Sequence, residues 1–402
     1  MNIPVIIPYT DEREIEEMAK IVKSGWVAQG PKVAEFENVV ATHEGIKHGI
    51  ATTSCTTALH LVMFALGIGK GQDVLVPSFT FVASANSIAH TGAKPRFVDV
   101  LPETFCIDPV SARNYIVENY TKRDGKWIHN TENNVLTAIL VVHQFGLCAD
   151  MPALMALVKE YGLQIVEDAA CALGAKIGDT HQGGFGNPSC LSFHPRKSIT
   201  TGEGGMVLTD DDELATRLRG LRSHGASVSE IARHNSKGFL LPSFDEVGYN
   251  YRMTDIQGAM GVAQMEKLDL IIATRRKKVA RYNELLQGLN WIVTPIEPEG
   301  YFHTYQSYVC KLQFEGLSIS EGGEKRDQLL TLLEEKGIAT RQGTHASHTL
   351  ECYQKLYNID FEALPNSYAC DRLTLTLPLY VQMTEEEQDY VVKQLKEAYI
   401  CL

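Results

Sequence analysis

Residues 166–210 read VEDAACALGAKIGDTHQGGFGNPSCLSFHPRKSITTGEGGMVLTD, and the order of textures along them decides the fold. One apolar run, LQIVED, ends on Asp168. A second, CLSFH, stops just before Pro195-Arg196-Lys197 and the glycine-rich TTGEGG. Working outward, HGIATT, DVLVPSF, KPRFVDV and TAILVVHQF are further strand-sized runs. Helical stretches separate them. TTALHLVMFALG places Leu59, Val62, Met63 and Leu66 at i, i+3, i+4 and i+7, FVASANSIAHTG ends at Gly92, and PALMALVKEYG precedes LQIVED. Near-continuous Val/Ile/Leu runs alternating with helices predict an α/β fold with a mostly parallel central sheet flanked by helices. The polar stretch TKRDGKWIHNTENN, residues 121–134, reads as a loop-like insert.

Around residue 265 the texture changes. MEKLDLIIATRRKKVARYNELLQGL is a long charged helical stretch, with RRKK at 275–278 most simply a solvated face. QSYVCKLQF then reads as a strand and RDQLLTLLEEKGI as a helix ending at Gly337. The expected division is a large domain over 1–270 and a smaller C-terminal α+β domain over 271–402, the first 30 residues being free to pack on the small one. A chain of 402 residues suits that division at about 150 residues per domain. With 37 Lys+Arg against 49 Asp+Glu, the net charge is −12 and no basic block stands out, which argues against nucleic acid or an anionic membrane as partner. Nine scattered cysteines without a CxxC pair suit reduced thiols. The start, MNIPVIIPYTDEREIEEMAK, lacks the basic opening and apolar core of a signal peptide, and no run approaches the ~20 apolar residues of a membrane span. The expectation is a soluble, cytoplasmic protein.

In open parallel sheets ligands bind beyond the carboxyl ends of the strands. Asp168 stands at one such end, Lys197 and TTGEGG past another, Ser54-Cys55-Thr56-Thr57 past HGIATT, and Thr80-Phe81 past DVLVPSF. Each alone has an ordinary reading: a turn-forming Asp, a solvated Lys, a helix cap, a core Phe. If the ends converge, they gather an acid, an amine, an anion site at a helix N-terminus and an aromatic face. Those are the parts that hold pyridoxal 5′-phosphate (PLP). Its Schiff-base lysine needs a partly desolvated amine, its ring nitrogen a carboxylate, its phosphate unpaired N–H groups and its ring a stacking face.

The 166–210 segment resembles the signature of the DegT/StrS family of PLP-dependent sugar aminotransferases. TTSCTTALHLVMFALGIGKGQDVLVPSFTFVASANSI is similar to the family's phosphate-binding and ring-stacking region, GYNYRMTDIQGAMGVAQMEKLD (248–269) to its partner-subunit segment, and SGWVAQGPKVAEFE to its opening. The resemblance implies an aspartate-aminotransferase-like (fold type I) architecture. It makes Lys197 the Schiff-base lysine and Asp168 the pyridinium partner. Ser192 and Thr56, with the Cys55 backbone, would hold the phosphate, and Phe81 would stack on the ring. Asn250 would reach the phosphate of the neighbouring subunit's cofactor, so that a homodimer carries its active sites at the interface. The activity implied is a ping-pong transfer of an amino group from L-glutamate to a nucleotide-linked 3- or 4-keto-deoxysugar, yielding an amino sugar for surface glycan biosynthesis.

Two departures stand out: Cys171 where many members have Gln, and Ser-Cys-Thr at 54–56 where many have Ser-Gly-Thr. A related branch with His in place of the Schiff-base lysine performs dehydration, and Lys197 sets this chain apart from it. The alternatives are another PLP activity on a keto sugar or cyclitol, or a nucleotide-binding or regulatory protein of the same fold. Against the latter, TGEGG precedes a strand rather than joining a strand to a helix, there is no GxxxxGK[ST], and no basic helix-turn-helix is appended. Candidates for a substrate pyrophosphate are Arg222, His224, Lys237, Arg252 and Arg341, each equally readable as a surface charge or structural ion pair. His345, His348 and Glu351 have the spacing of a helical zinc site, but with no recognised motif a solvated or substrate-lining role is the preferred reading and no metal is expected.

Overall fold

The computed structural model describes residues 1–227 and 241–402. Its centre is a nine-stranded sheet built from β1 (His48–Thr52), β2 (Gln72–Pro77), β3 (Lys94–Val98), β4 (Tyr120–Arg123), β5 (Lys126–His129), β6 (Val135–Val142), β7 (Gln164–Asp168), β8 (Ser189–Ser192) and β9 (Gly205–Thr209). The order is β1-β9-β8-β7-β6-β2-β3. The pairs β2–β3, β2–β6, β6–β7 and β7–β8 are parallel, while β9 runs antiparallel to both neighbours. Six strands therefore point their carboxyl ends at one edge, and β9 starts there.

The expected mostly parallel sheet is what forms, with one revision. Residues 121–134 are not a loop: β4 and β5 make a hairpin that adds to the sheet through Ile128 opposite Val135. Thr121, Ile128 and Trp127 take cross-strand places that a window full of Lys, Asp and Asn disguised.

Alternation along the strands divides the core. Val74, Val76, Ala138, Leu140, Val166 and Val207 face one side, where they meet α3 (Cys55–Ala65), α4 (Ala83–His90) and α7 (Asp212–Arg222). Leu75, Ile139, Val141 and Ile165 face the other, against α5 (Pro109–Asn119) and α6 (Met151–Tyr161). Ala51, Leu191, Met206 and Leu208 pack there too, under α2 (Pro31–Glu44) and α8 (Asp255–Met265). Burial on both faces explains why these strands read as continuous apolar runs.

Beyond α8, α9 (Leu268–Leu286) leads to a second antiparallel sheet of Ile292–Val293, Tyr308–Leu312 and Thr374–Leu377, covered by α10 (Ile319–Glu335) and α13 (Glu385–Ile400). Its core holds Tyr282, Leu329, Leu333, Leu375 and Leu395, and also Ile3. Ile3 donates to Gly337 O at 2.7 Å and accepts from Ala339 N at 2.9 Å. Residues between these strands return to the large domain: His345–Ala346 pair with Phe79–Thr80 in a two-stranded sheet of their own, and α11 (Glu351–Tyr357) brings Tyr353 into the large core. Two elements distant in sequence thus close over the carboxyl edge.

A buried charge network ties the hairpin to the sheet's amino edge. Arg96 pairs with Asp73 at 2.9 Å and with Glu132 at 3.0 Å, Lys94 reaches Glu132 at 2.7 Å, and Tyr120 donates to Asp73 at 2.7 Å. Arg96, then Lys94, hold the Glu132 carboxyl down at about 2 against the ordinary 4.5. Because the folded pKa lies below the unfolded one, this stabilisation is complete above about pH 4.5 and is lost as pH falls through about 2. Glu132→Gln is therefore expected to lower stability at neutral pH, with the deficit against wild type shrinking as pH falls from 4.5 to 2; urea unfolding across that range checks it.

Candidate active site

A cavity of about 630 Å³ opens at the carboxyl edge, lined by Cys55, Thr56, Phe81, Asp168, Ser192 and Lys197 among others. Six of the seven residues singled out from sequence thus share one chamber. The seventh, Asn250, is exposed and lies outside this lining.

Asp168 ends β7 and is 5% exposed. Its Oδ2 accepts from Ser84 Oγ at 2.7 Å and its Oδ1 from Ala170 N at 3.1 Å. Ser84, on the first turn of α4, is within 2.9 Å of Thr80 Oγ1. These donors offset part of the cost of burying a carboxylate. The neighbouring Glu167 is fully buried and faces His143 Nε2 at 2.8 Å. Since His143 Nδ1 accepts from Ala149 N at 3.0 Å, the ring proton is on Nε2 and points to Glu167. His143 also lines the cavity. Neither Ser84 nor His143 was visible from sequence: a serine early in a helix and a histidine ending a strand carry no signal until the ends converge.

Lys197 follows β8, its N–H donating to His194 O at 2.8 Å. Its amine lies 3.1 Å from Cys171 Sγ, on the loop that leaves Asp168. Cys171 is thus in direct contact with the lysine. Arg275 sits behind, 2% exposed, donating to Gln306 O at 3.0 Å and reaching Lys197 O at 3.4 Å. Burial pulls its pKa down to about 10. This corrects the solvated-face reading of RRKK: the first arginine is interior and braces the lysine segment.

The anion site lies where α3 begins. Ser54 and Thr57 form a reciprocal capping box, with Thr57 N on Ser54 Oγ at 3.2 Å and Ser54 N on Thr57 Oγ1 at 3.0 Å. The first N–H groups of the helix, on Cys55 and Thr56, have no intrahelical acceptor and face the cavity end of the macrodipole. Cys55 directs its thiol inward, 3.5 Å from Cys190 O, and burial pushes that thiol well up, so it is a neutral filler beneath the site. A side chain is therefore accommodated at position 55. Gly205 is what cannot change, since a Cβ there would lie 2.3 Å from Ser54 C and 2.5 Å from Cys55 N.

Phe81 is 58% exposed at the rim, a ring face without a covering partner in the chamber. The C-terminal part contributes Arg341, Gln342 and His345 to the lining, to which Arg196 also belongs. Burial, and then the adjacent Arg196, lower the Arg341 pKa.

Of the other anion candidates, Arg222 is interior, donating to Ala51 O at 2.7 Å and paired with Glu37. His224 is exposed, with φ 64°, outside the cavity lining. Arg252 also lies outside that lining, and Lys237 falls outside the described residues. The helical zinc spacing does not materialise. His345 is on a short strand, His348 on a 3-10 turn and Glu351 at the start of α11. His348 uses both ring nitrogens, toward Ser78 Oγ at 2.6 Å and Phe361 O at 3.0 Å.

The chamber fits PLP on its own chemistry. It offers an amine, a buried carboxylate with two donors and open sides, two free helix N–H groups pressed against a glycine, and an uncovered aromatic face. That set defines a PLP-dependent transferase of fold type I. The chain belongs to the DegT/DnrJ/EryC1/StrS aminotransferase family, whose model matches residues 8–396. It is 33% identical to the spore coat polysaccharide biosynthesis protein SpsC of Bacillus subtilis over 98% of this chain and 96% of that one. It is 35% identical to GDP-perosamine synthase of Caulobacter vibrioides over 99% of each chain. The putative sugar aminotransferase Spr1654 from Streptococcus pneumoniae, solved in its PMP form, superposes with a TM-score of 0.89 at 27% identity over 100% of both chains. This protein is accordingly a PLP-dependent sugar aminotransferase.

Gly205→Ala is expected to push β9 off the α3 N-terminus, costing about 1–3 kcal/mol and weakening cofactor binding more than it lowers the melting temperature. Thermal unfolding with and without added PLP separates the two effects.

Proposed function

We propose that the enzyme transfers the amino group of L-glutamate to a nucleotide-linked 3- or 4-keto-deoxysugar, making an amino sugar for surface glycan biosynthesis, as a cytoplasmic homodimer. The observation that carries this reading is the meeting of Lys197, Asp168 and the α3 N-terminus in one chamber large enough for cofactor and sugar together. The relatives named for GDP-perosamine and spore coat polysaccharide support the sugar and its destination. Among the described residues no helix is long and apolar enough to cross a membrane.

Bound PLP supplies an electron sink for a carbanion next to nitrogen. The protein's residues do the rest. Lys197 would hold the cofactor and, once released, its amine would take the proton from the donor's α-carbon and pass it, from the same side, to the cofactor's reacting carbon. Asp168, oriented by Ser84 and Ala170, keeps a proton on the ring nitrogen, so that developing negative charge meets a fixed positive partner. The N–H groups of Cys55 and Thr56, with the Ser192 hydroxyl, hold the phosphate, and Phe81 covers the ring. Asn250 completes the phosphate site of the partner subunit, consistent with its exposure outside its own chamber. Arg196 and Arg341 offer two planar forks to the donor's carboxylates and then to the diphosphate of the acceptor. In a chain of net charge −12 such local cations are what an anionic substrate requires. We place the division between the large and small domains near residue 270, a reading supported by the separate apolar core beyond it.

Lys197→Ala is expected to lose both the yellow colour and turnover while staying folded by circular dichroism. Asp168→Asn should keep the colour and lose at least about a hundredfold in kcat, read by 2-oxoglutarate release. The substrate is tested with a panel of nucleotide-linked 3-keto and 4-keto sugars, glutamate as donor and product identity by mass and NMR. Amine exchange between glutamate and 2-oxoglutarate without transfer to any member would overturn the acceptor class and leave the transaminase.

A further inference from the structure

A second group of chemistry-bearing side chains lies away from the chamber, at the C-terminal end of α2. His43 and Glu44 close that helix, and His181 belongs to the short strand Thr180–His181. The Glu44 side chain is wholly buried. Its Oε1 lies 2.7 Å from His43 Nδ1 and accepts from Gly174 N at 3.1 Å. Its Oε2 lies 3.4 Å from His181 Nδ1 and accepts from Gln182 Nε2 at 2.9 Å. One atom from each of His43, Glu44 and His181 falls within 4.8 Å of the others.

This carboxylate is in a poor place for an anion. Removing it from water costs several kcal/mol, and the C-terminus of a helix adds negative potential. The ion-pair partners it has among the described residues are the two histidines, with no lysine or arginine. Two polar atoms beside it are left over. His181 Nδ1 and Gln182 Oε1 are buried without a hydrogen-bond partner, and Gln182 is 0% exposed. Gln182 Oε1 is an acceptor left without a donor, and His181 Nδ1, in the tautomer protonated on Nε2, adds a lone pair facing the carboxylate; together they suit a cation. The outer contacts agree. His43 Nε2 lies 3.5 Å from the Asp269 carboxylate, the arrangement that turns a ligating histidine's other nitrogen toward the ion.

We propose that His43 Nδ1, the Glu44 carboxylate and His181 Nδ1 bind one divalent transition-metal ion of the zinc class, with water or the Gln182 amide oxygen in the fourth position. Imidazole and carboxylate together suit zinc. Tetrahedral bonds of about 2.0–2.1 Å set ligand atoms about 3.3 Å apart. The 3.4 Å from His181 Nδ1 to Glu44 Oε2 meets this for one carboxylate oxygen, while His43 Nδ1 meets the other, Oε1, at 2.7 Å, so the carboxylate turns and that contact opens on binding. The ion ties three segments together: the end of α2, the His181 strand and, through the Gly174 N–H, the loop that carries Cys171 to Lys197. Its role is to brace the cofactor chamber from behind. It takes no part in amino transfer.

The untagged holoenzyme, stripped with dipicolinate, is titrated with Zn²⁺ against a chromophoric chelator and separately with Co²⁺. One equivalent per chain is expected, with a raised melting temperature and visible cobalt bands lacking the thiolate charge-transfer band that any of the nine cysteines would give. His181→Gln should abolish that equivalent. Asp269→Asn, at a solvent-exposed position that does not threaten folding, should weaken binding about 10–100-fold while PLP colour and circular dichroism stay unchanged. Equal zinc binding by wild type and His181→Gln, a thiolate-type cobalt spectrum, or no bound equivalent would overturn the site and leave His43 and Glu44 as an imidazolium–carboxylate pair.

Discussion

The structure turns on keeping one carboxylate, Asp168, out of water yet open to a ligand. At 5% exposure it needs donors, and it takes them from two directions, Ser84 on α4 and the Ala170 backbone just ahead. Ser84 is in position only because Phe79–Thr80 and α4 leave β2 at the edge where β7 ends. That edge exists because six strands run the same way. The parallel sheet, the helices that cover both faces and the short turns at its carboxyl edge can all be read as the scaffold for this buried acid.

The amine facing that acid is positioned by a different kind of constraint. Lys197 sits on a turn between β8 and β9, and what braces the turn is Arg275, an interior guanidinium spending its donors on backbone carbonyls rather than on an acid. A lysine has only its backbone anchored this way, so its side chain is free to exchange partners. Among the described residues, Cys171, 3.1 Å from the amine, is the one side chain that hydrogen-bonds to it. The loop bearing Cys171 is in turn anchored by Gly174 on Glu44, so the polar cluster behind α2 and the chamber are mechanically joined.

Much of this was legible from residue order. The apolar runs on both sides of residues 166–210 marked the parallel strands, because burial on two faces removes the alternation that a half-exposed strand shows. Cys55, Thr56, Phe81, Asp168 and Lys197 were named from their places after strand ends and Ser192 from the family resemblance, and all line one chamber. The hairpin of residues 120–129 was missed because Lys122, Arg123 and Lys126 are exposed, and an edge hairpin needs little apolar surface. Arg275 was misread because four successive basic residues look solvated, although successive helical positions point about 100° apart and one of them faced inward. Ser84, His143 and the His43–Glu44–His181 group gave no warning, being ordinary residues whose partners lie far off in the chain.

The sequence by itself determined most of the strands and helices, that the central strands would be mostly parallel and buried, and which residues end several of them. Those follow from local periodicity and from the fixed rule that ligands gather at carboxyl ends. Only the tertiary structure decided what each side chain does there. Whether a basic residue is a chamber-lining cation like Arg341, a brace like Arg275 or a core ion pair like Arg222 depends on the burial and partners that packing supplies. Charge is written in the residue; the dielectric around it, and therefore its chemistry, is set by neighbours brought from elsewhere in the chain.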